Sequence, residues 1–522
     1  MRKGLMIFAL LLAGCGTSPP PVTGSWIGDA ELGSGDDRIE FVVDSTGHAT
    51  VSLRGWELSA AAAVLTRTGP DSLTLAAGAG RDSAYFRGTA SDGVWIGLAV
   101  RGSDSADFEL RRLHPMIAAD WEHLVGTYRG RGRLFGVAPL SEFGSQPMLV
   151  DYQTGRIGPL YPLSDRVYLY GSSVIAPLLP GDTVELAGDG LRLVEAGKAP
   201  VIAVRLTTRD TGVTFTNESV KLAGTLTLPA GPPPWPAMVL VHGSNALTRD
   251  VFGPWTRFFA GLGYAVLSYD KRGAGGSTGD WKQADFAMLA GDVLAGVRFL
   301  QERSDIIPDQ IGLWGASQAG WIMPMVAARA PEDIAFMIVH AGSGTTVREQ
   351  GRLNLANELR FGGLPESSVA LGLRYQELDD NFTRTGRGIE QVEAFYEANR
   401  AKESWLWEPA PADSWFRGYY RMLMDFNPAP YWPRVTCPVL FFYGELDANV
   451  PPVESWPPIE AGLRKAGNAN VTQVVLPDAN HLLLAARTGV REEYPHLSHF
   501  VPGYFDRMAS WLAERRKDGR TE

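Results

Sequence analysis

Short, predominantly apolar runs recur through the second half of this chain, at residues 237–241, 265–269, 311–314, 336–339, 439–443 and 471–476. Each has the length of one strand and no polar alternation, which marks strands covered on both faces. Helix-length segments lie between most of them, as at 286–300 and 318–329. Buried strands alternating with helices predict a doubly wound α/β domain, expected over residues 213–517. Just upstream, Val220, Leu222, Gly224, Leu226 and Leu228 alternate with other residues, the pattern of a half-exposed antiparallel strand.

One connection is too long for a crossover. Residues 341–433 separate two of the apolar runs and contain helical stretches at 347–359, 367–381 and 389–401, followed by the aromatic-rich "SWLWEPAPADSWFRGYYRML". An insertion of this size is a helical cap over a site or a peripheral decoration. Its Trp405, Trp407, Trp415, Phe416, Tyr419 and Tyr420 either line an apolar pocket or pack the cap's own core.

At 522 residues the chain needs two or three domains. From Trp26 to Leu113, alternating runs at 39–43, 49–53, 72–75, 94–100 and 108–113 are separated by Gly, Asp and Ser. They predict an antiparallel sheet or small barrel over 22–115. A second β-rich module is expected over 120–206. Gly24-Ser25-Trp26-Ile27-Gly28 and Gly126-Thr127-Tyr128-Arg129-Gly130 share a five-residue outline, which a duplication or two strand openings explain equally. Neither stretch clusters His, Cys, Asp or Glu at ligand spacing, so no metal is expected.

The formal net charge is −10 and no run of Lys or Arg occurs, which argues against a nucleic-acid partner. The chain opens Met1-Arg2-Lys3 with an apolar run over 5–13, too short to span a membrane. Leu12-Ala13-Gly14-Cys15 resembles the lipobox of bacterial lipoproteins. That resemblance implies cleavage and lipidation at Cys15, export and a membrane anchor, with Gly16 favouring the outer membrane and residues 16–21 acting as a tether. A simple secretory peptide is the alternative. If Cys15 carries lipid, the other cysteine, Cys437, has no partner for an intramolecular disulfide.

"GASQAG", residues 315–320, follows the run at 311–314 and precedes a helix. A strand-turn-helix context lifts a serine hydroxyl above the edge of a sheet, and it makes Ser317 the candidate nucleophile. Ala319 stands where such elbows usually have glycine, a departure of one methyl. His242-Gly243-Ser244 follows the run at 237–241, where an oxyanion-binding loop belongs, so the backbone N–H groups of Ser244 and Gln318 are the candidate donors. His242 itself is read as structural. In "YDKRGAGGSTGD" Asp270 and Arg272 are expected to brace a turn; the segment lacks the lysine placement of a phosphate-binding loop. "GELDANV" offers Glu445 and Asp447, and "PDANH" offers His481 as the base; resemblance to the G-x-x-D-x-x-V segment of α/β-hydrolases selects Asp447, with Glu445 the fallback. His496 and His499 are read as solvated surface.

Residues from about 215 to 512 resemble an α/β-hydrolase of the serine-aminopeptidase-like and dienelactone-hydrolase-like group, with Ser317, Asp447 and His481 in that fold's order. The module in front resembles the lipocalin-like β module of some exported bacterial serine hydrolases. The resemblance implies a serine carboxylesterase acting on short- to medium-chain esters through an acyl-enzyme, without a cofactor. Cysteine and aspartate nucleophiles do not match this elbow, and an exported enzyme meets no CoA pool. The alternatives are an exported aminopeptidase, whose ammonium-binding carboxylate could be Glu358, Glu403, Glu408 or Asp413, and a non-catalytic surface binding lipoprotein.

Overall fold

A computed structural model describes residues 22–30, 38–53, 56, 58–69, 71–78, 83–115, 121–142, 144, 146–171, 173 and 182–516. Cys15 and the segment read as a lipobox and tether lie outside these residues. The described residues divide into two compact units, one ending at Pro115 and including Pro162–Asp165, the other formed by the rest.

In the first unit eight strands close into an antiparallel barrel: β1 (Gly24–Ala30), β2 (Arg38–Val43), β3 (His48–Leu53), β4 (Leu58–Arg67), β5 (Ser72–Ala77), β6 (Ala84–Ser91), β7 (Val94–Arg101) and β8 (Asp104–Arg112). Of the strands outside the expected runs, β4 is rich in alanine and β6 carries small residues at its ends and centre, so neither shows β-branched alternation. The interior is filled by Phe41, Phe86, Trp95 and Phe108, packed edge to face with Phe41 at 4.9 Å from Phe86 and 5.2 Å from Trp95.

A second antiparallel barrel follows: β9 (Gly126–Gly130), β10 (Arg133–Pro139), β11 (Pro147–Asp151), β12 (Ile157–Pro162), β13 (Val167–Tyr170), β14 (Thr183–Ala187), β15 (Gly190–Val194) and β16 (Val201–Arg205). The two five-residue outlines therefore open equivalent strands. Their aromatics, Trp26 and Tyr128, are buried inside. Their last glycines lie on the closing seams: a Cβ on Gly28 would come within 1.9 Å of Glu109 O on β8, and one on Gly130 within 2.1 Å of Ile202 O on β16. A plug and a close approach of first to last strand account for the shared outline.

The third element is an eight-stranded sheet in the order β17-β18-β20-β19-β21-β22-β23-β24. Strands β17 (Arg209–Asn217) and β18 (Val220–Leu228) are antiparallel to each other, and β18 is antiparallel to β20 (Ala265–Tyr269). From β20 through β19 (Trp235–Val241), β21 (Ile306–Ala316), β22 (Phe336–His340), β23 (Val439–Gly444) and β24 (Val471–Leu476) the pairing is parallel. This is the α/β-hydrolase fold. Helices α1 (Gly253–Gly261), α2 (Phe286–Gln301), α3 (Ala319–Arg329), α8 (Pro452–Lys465) and α9 (Tyr504–Ala513) belong to it. Asp285 starts α2 by accepting from Met288 N at 2.8 Å, a cap worth about 1 kcal/mol.

The second β module keeps its own interior core around Tyr128, Phe135 and Tyr168, but a further buried cluster crosses the expected boundary to the α/β domain. Met148, Val150, Tyr152 and Ile157 of the barrel belong to one buried cluster with Met238, Phe258 and Phe505. Tyr152 donates its hydroxyl to Pro254 O at 2.5 Å, and Thr127 donates to Arg257 O at 3.2 Å. Helix α1 is wholly buried as a result. Between β22 and β23 stand the cap helices α4 (Val347–Phe361), α5 (Glu366–Thr385), α6 (Ile389–Asn399) and α7 (Trp415–Leu423). The cap has its own small core of Tyr375, Phe382, Val392 and Leu406, and Arg417, buried, donates to Asp379, Thr383 and the carbonyl of Ala410.

Candidate active site

Parallel strands end their runs at one edge of the sheet, and the loops leaving that edge carry the candidate residues. Ser317 leaves β21 with φ +57°, a left-handed conformation that costs a residue with a Cβ about 1 to 2 kcal/mol. Its N–H donates to His340 O at 2.9 Å, and its C=O accepts from Gly320 N at 2.8 Å, so both neighbouring elements hold the turn. A Cβ at Gly320 would lie 2.4 Å from Gly342 Cα, which makes glycine necessary there. Ala319 is tolerated because Gly315 faces it: a Cβ on Gly315 would lie 2.5 Å from the Ala319 methyl. The first glycine of the elbow, Gly315, thus leaves room for the methyl that stands at the position of the second.

His481 and Asp447 meet. The Nδ1 of His481 lies 2.9 Å from Asp447 Oδ2 and 3.0 Å from Oδ1. Asp447 Oδ1 also accepts from the backbone N–H of Asn449 at 2.9 Å and of Val450 at 2.8 Å, which orients the carboxylate. Glu445 points elsewhere, accepting from Asp478 N at 3.4 Å. His496 and His499 are exposed. Burial pulls the His481 imidazole down, but the charge and hydrogen bond of Asp447, with the charge of Glu142 adding, leave it above its ordinary value against the opposing Arg491. With Nδ1 committed to Asp447, Nε2 is the nitrogen left for chemistry.

Ser317, His481 and Ser244 line one cavity of about 470 Å³. Leu247, Val251, Phe252, Trp255 and Trp314 give it an apolar wall, and Trp255 is fixed by donating to Tyr504 Oη at 3.0 Å. Gln318 is buried at the start of α3, immediately after Ser317. His242 is buried, its Nε2 2.5 Å from Tyr269 O, and burial together with the charge of Lys271 lowers it to about 3. It is a neutral strand-end residue. Asp270 accepts from Arg249 Nη2 at 2.7 Å and Gly276 N at 2.8 Å, while Arg272 grips Asp292 on α2 at 2.6 and 2.7 Å. These bonds brace the turn.

Of the four cap carboxylates considered, Glu358 lines the cavity. Glu403 is bonded to Ser368 Oγ and Trp405 Nε1, and Glu408 and Asp413 are exposed. The cap aromatics do not line the cavity. Trp405 packs on Gly372, Trp407 on Tyr375, Phe416 on Tyr420, and Trp415 and Tyr419 on Trp281. These rings pack on their neighbours at one face, and Trp407, Trp415 and Phe416 leave about half of their surface to solvent. A second carboxylate on the cavity wall, Glu142, comes from the second barrel after β10 and carried no motif in the sequence. It stays in contact with solvent, and the surrounding protein raises its carboxyl against the opposing charges of His481 and Arg491. Among the described residues no group of three or more His, Cys, Asp or Glu is placed to hold a metal ion, and no helix is long and apolar enough to cross a membrane.

Residues 218–481 match the family model of X-Pro dipeptidyl-peptidase (S15 family). The chain is 26% identical over 307 residues to esterase EstD of Thermotoga maritima, covering 56% of this chain and 66% of that protein. It is 37% identical over 108 residues to thiohydrolase aneE of Aspergillus aculeatus, covering 20% of this chain and 33% of that one. The chain therefore spans just under two thirds and about one third of these relatives' lengths. Among solved structures, the Pyrococcus furiosus esterase Pf2001 aligns at 16% identity and TM-score 0.37, over 59% of this chain and 91% of that one. Proline iminopeptidase of Mycobacterium smegmatis aligns at 18% and TM-score 0.37, over 58% and 98%.

Proposed function

This chain belongs to the X-Pro dipeptidyl-peptidase (S15) family, and from that premise we propose that it is a serine hydrolase cleaving short- to medium-chain carboxylic esters through an acyl-enzyme at Ser317. The observation that carries the reading is the meeting of a strained serine elbow and an Asp447-bound His481 on one apolar-walled cavity. Ser317 Oγ attacks the substrate carbonyl carbon while His481 Nε2 takes its proton, and Asp447 holds the imidazole in the tautomer this needs. The negative charge that forms on the carbonyl oxygen is met by the N–H groups of Ser244 and Gln318, donors of a type worth about 2.7 to 4 kcal/mol. The imidazolium then returns its proton to the leaving alcohol. Water, activated by the same nitrogen, releases the acid.

Amide hydrolysis next to a free ammonium is a second reading, and Glu142 and Glu358 on the cavity wall favour it. Turnover of p-nitrophenyl acetate, butyrate and octanoate beside aminoacyl p-nitroanilides, in wild type and Ser317→Ala, separates the two. Ester turnover lost in Ser317→Ala supports the first reading; turnover of the anilides alone supports the second, and activity retained by Ser317→Ala removes both. Export and a lipid anchor at Cys15 remain part of the proposal, and palmitate incorporation that persists in Cys15→Ser would remove that part.

A further inference from the structure

We propose that Lys271 is a positioning residue for the oxyanion pocket: one buried lysine whose Nζ ties the loop after β19 to the elbow after β21 and so aims the N–H of Ser244 into the cavity. The inference rests on the reading of Ser317 as nucleophile. Lys271 leaves β20, the strand beside β19, and is 2% exposed. Its Nζ donates to Gly243 O at 2.8 Å and to Gln318 Oε1 at 2.8 Å. One amino group therefore bonds to the residue before one candidate oxyanion donor and to the residue that carries the other.

Peptide geometry turns this contact into an orientation. The C=O of Gly243 and the N–H of Ser244 belong to one planar trans unit and point in opposite directions. Lys271 draws that carbonyl into the protein, so the N–H is directed away from Nζ, on the cavity side that Gly243 and Ser244 line. Without an anchor this peptide has little to resist rotation, because Gly243 imposes no Cβ restraint. Gln318 completes the brace. Its side chain is buried and off the cavity wall, its Oε1 is held by Lys271, and its Nε2 lies 3.4 Å from Tyr419 Oη on α7.

A buried ammonium is costly, and an apolar side chain of the same length would fill the space. Asp292, the carboxylate whose charge bears on Lys271, is itself gripped by Arg272. Burial lowers Lys271 to about 7 against the charge of Asp292, so the brace rests on its two hydrogen bonds, which Nζ donates whether charged or neutral.

The test is a double-mutant cycle with Lys271→Met and Gln318→Met on the full chain. It is read with the ester or anilide that the wild type turns over, and active enzyme is counted by fluorophosphonate labelling. In each single variant kcat should fall, by about 10- to 100-fold for Lys271→Met, with KM within about twofold. The double variant should be no slower than Lys271→Met, because both changes break one brace. Wild-type kcat in either variant, losses that multiply in the double, or losses confined to KM overturn the proposal. Should Lys271→Met fail to fold, the volume-conserving Gln318→Met decides alone, since that side chain does not reach the cavity wall. Wild-type protein that fluorophosphonate does not label at Ser317 overturns the nucleophile assignment and this inference together, whereas labelling with unchanged variants overturns only the inference.

Discussion

His481 presents its Nδ1 to both carboxylate oxygens of Asp447, at 2.9 and 3.0 Å, while two backbone N–H groups hold the same carboxylate from behind. Replacing Asp447 by Asn keeps the shape but offers an N–H where an acceptor is needed, which selects the wrong imidazole tautomer. Asp447→Asn should lower kcat by about 10⁴-fold with little change in KM. Steady-state kinetics at neutral pH check this.

Glu142, from the second barrel, lines the same cavity as this imidazole. Its charge helps hold His481 above its ordinary value, together with Asp447 and against burial and Arg491. Activity requires the neutral imidazole, so it is lost as pH falls through this raised value. Removing a neighbouring negative charge weakens the imidazolium, and Glu142→Gln should move the acid limb of kcat/KM to lower pH. An acid limb that stays in place or rises would contradict the assignment. If ammonium-bearing substrates are turned over, Glu142→Gln and Glu358→Gln should raise their KM while leaving the KM of neutral esters unchanged.

The elbow makes opposite predictions for adjacent residues. Ala319→Gly deletes a buried methyl and adds backbone freedom in the first turn of α3, so it should cost about 1 kcal/mol of stability and leave kcat near wild type. Gly320→Ala places a Cβ where Gly342 Cα already stands, and no rotamer relieves a backbone contact. It should cost about 1 to 3 kcal/mol or more and lower kcat by displacing Ser317. Thermal melts with active-site titration distinguish the two.

Deletion of the barrels should be equally unequal. All residues that line the cavity lie after residue 116, so a chain lacking residues 1–115 should keep wild-type kcat/KM. A chain beginning after β16 loses Met148, Val150, Tyr152 and Ile157 from a shared core and exposes α1. It should aggregate or melt far below the full chain, as solubility and thermal denaturation would report.

The sequence by itself determined what depends on local pattern. Continuous apolar runs fall on β19 to β23, because a strand buried on both faces has no polar position to alternate with, whereas the edge strand β24 admits Thr472 and Gln473 and leaves Val475 exposed. The length of the connection after β22 located the cap. Ser317, Asp447 and His481 were legible because each follows a strand end in a turn with its own residue requirements. Only the tertiary structure decided matters that depend on distant surfaces meeting. It joined the second barrel to the α/β domain through a shared buried cluster, because apolar faces on separate modules carry no address in one dimension. It brought Glu142 to the cavity that His481 lines and chose Glu358 from four cap carboxylates, since a charged residue on a loop or helix face reads the same whether it faces solvent or a cavity. It also turned the cap aromatics onto their neighbours, although their spacing fitted a pocket lining as well, and it set Lys271, plain in "YDKRG" but without a motif role, beneath two loops that the sequence places 28 and 47 residues away.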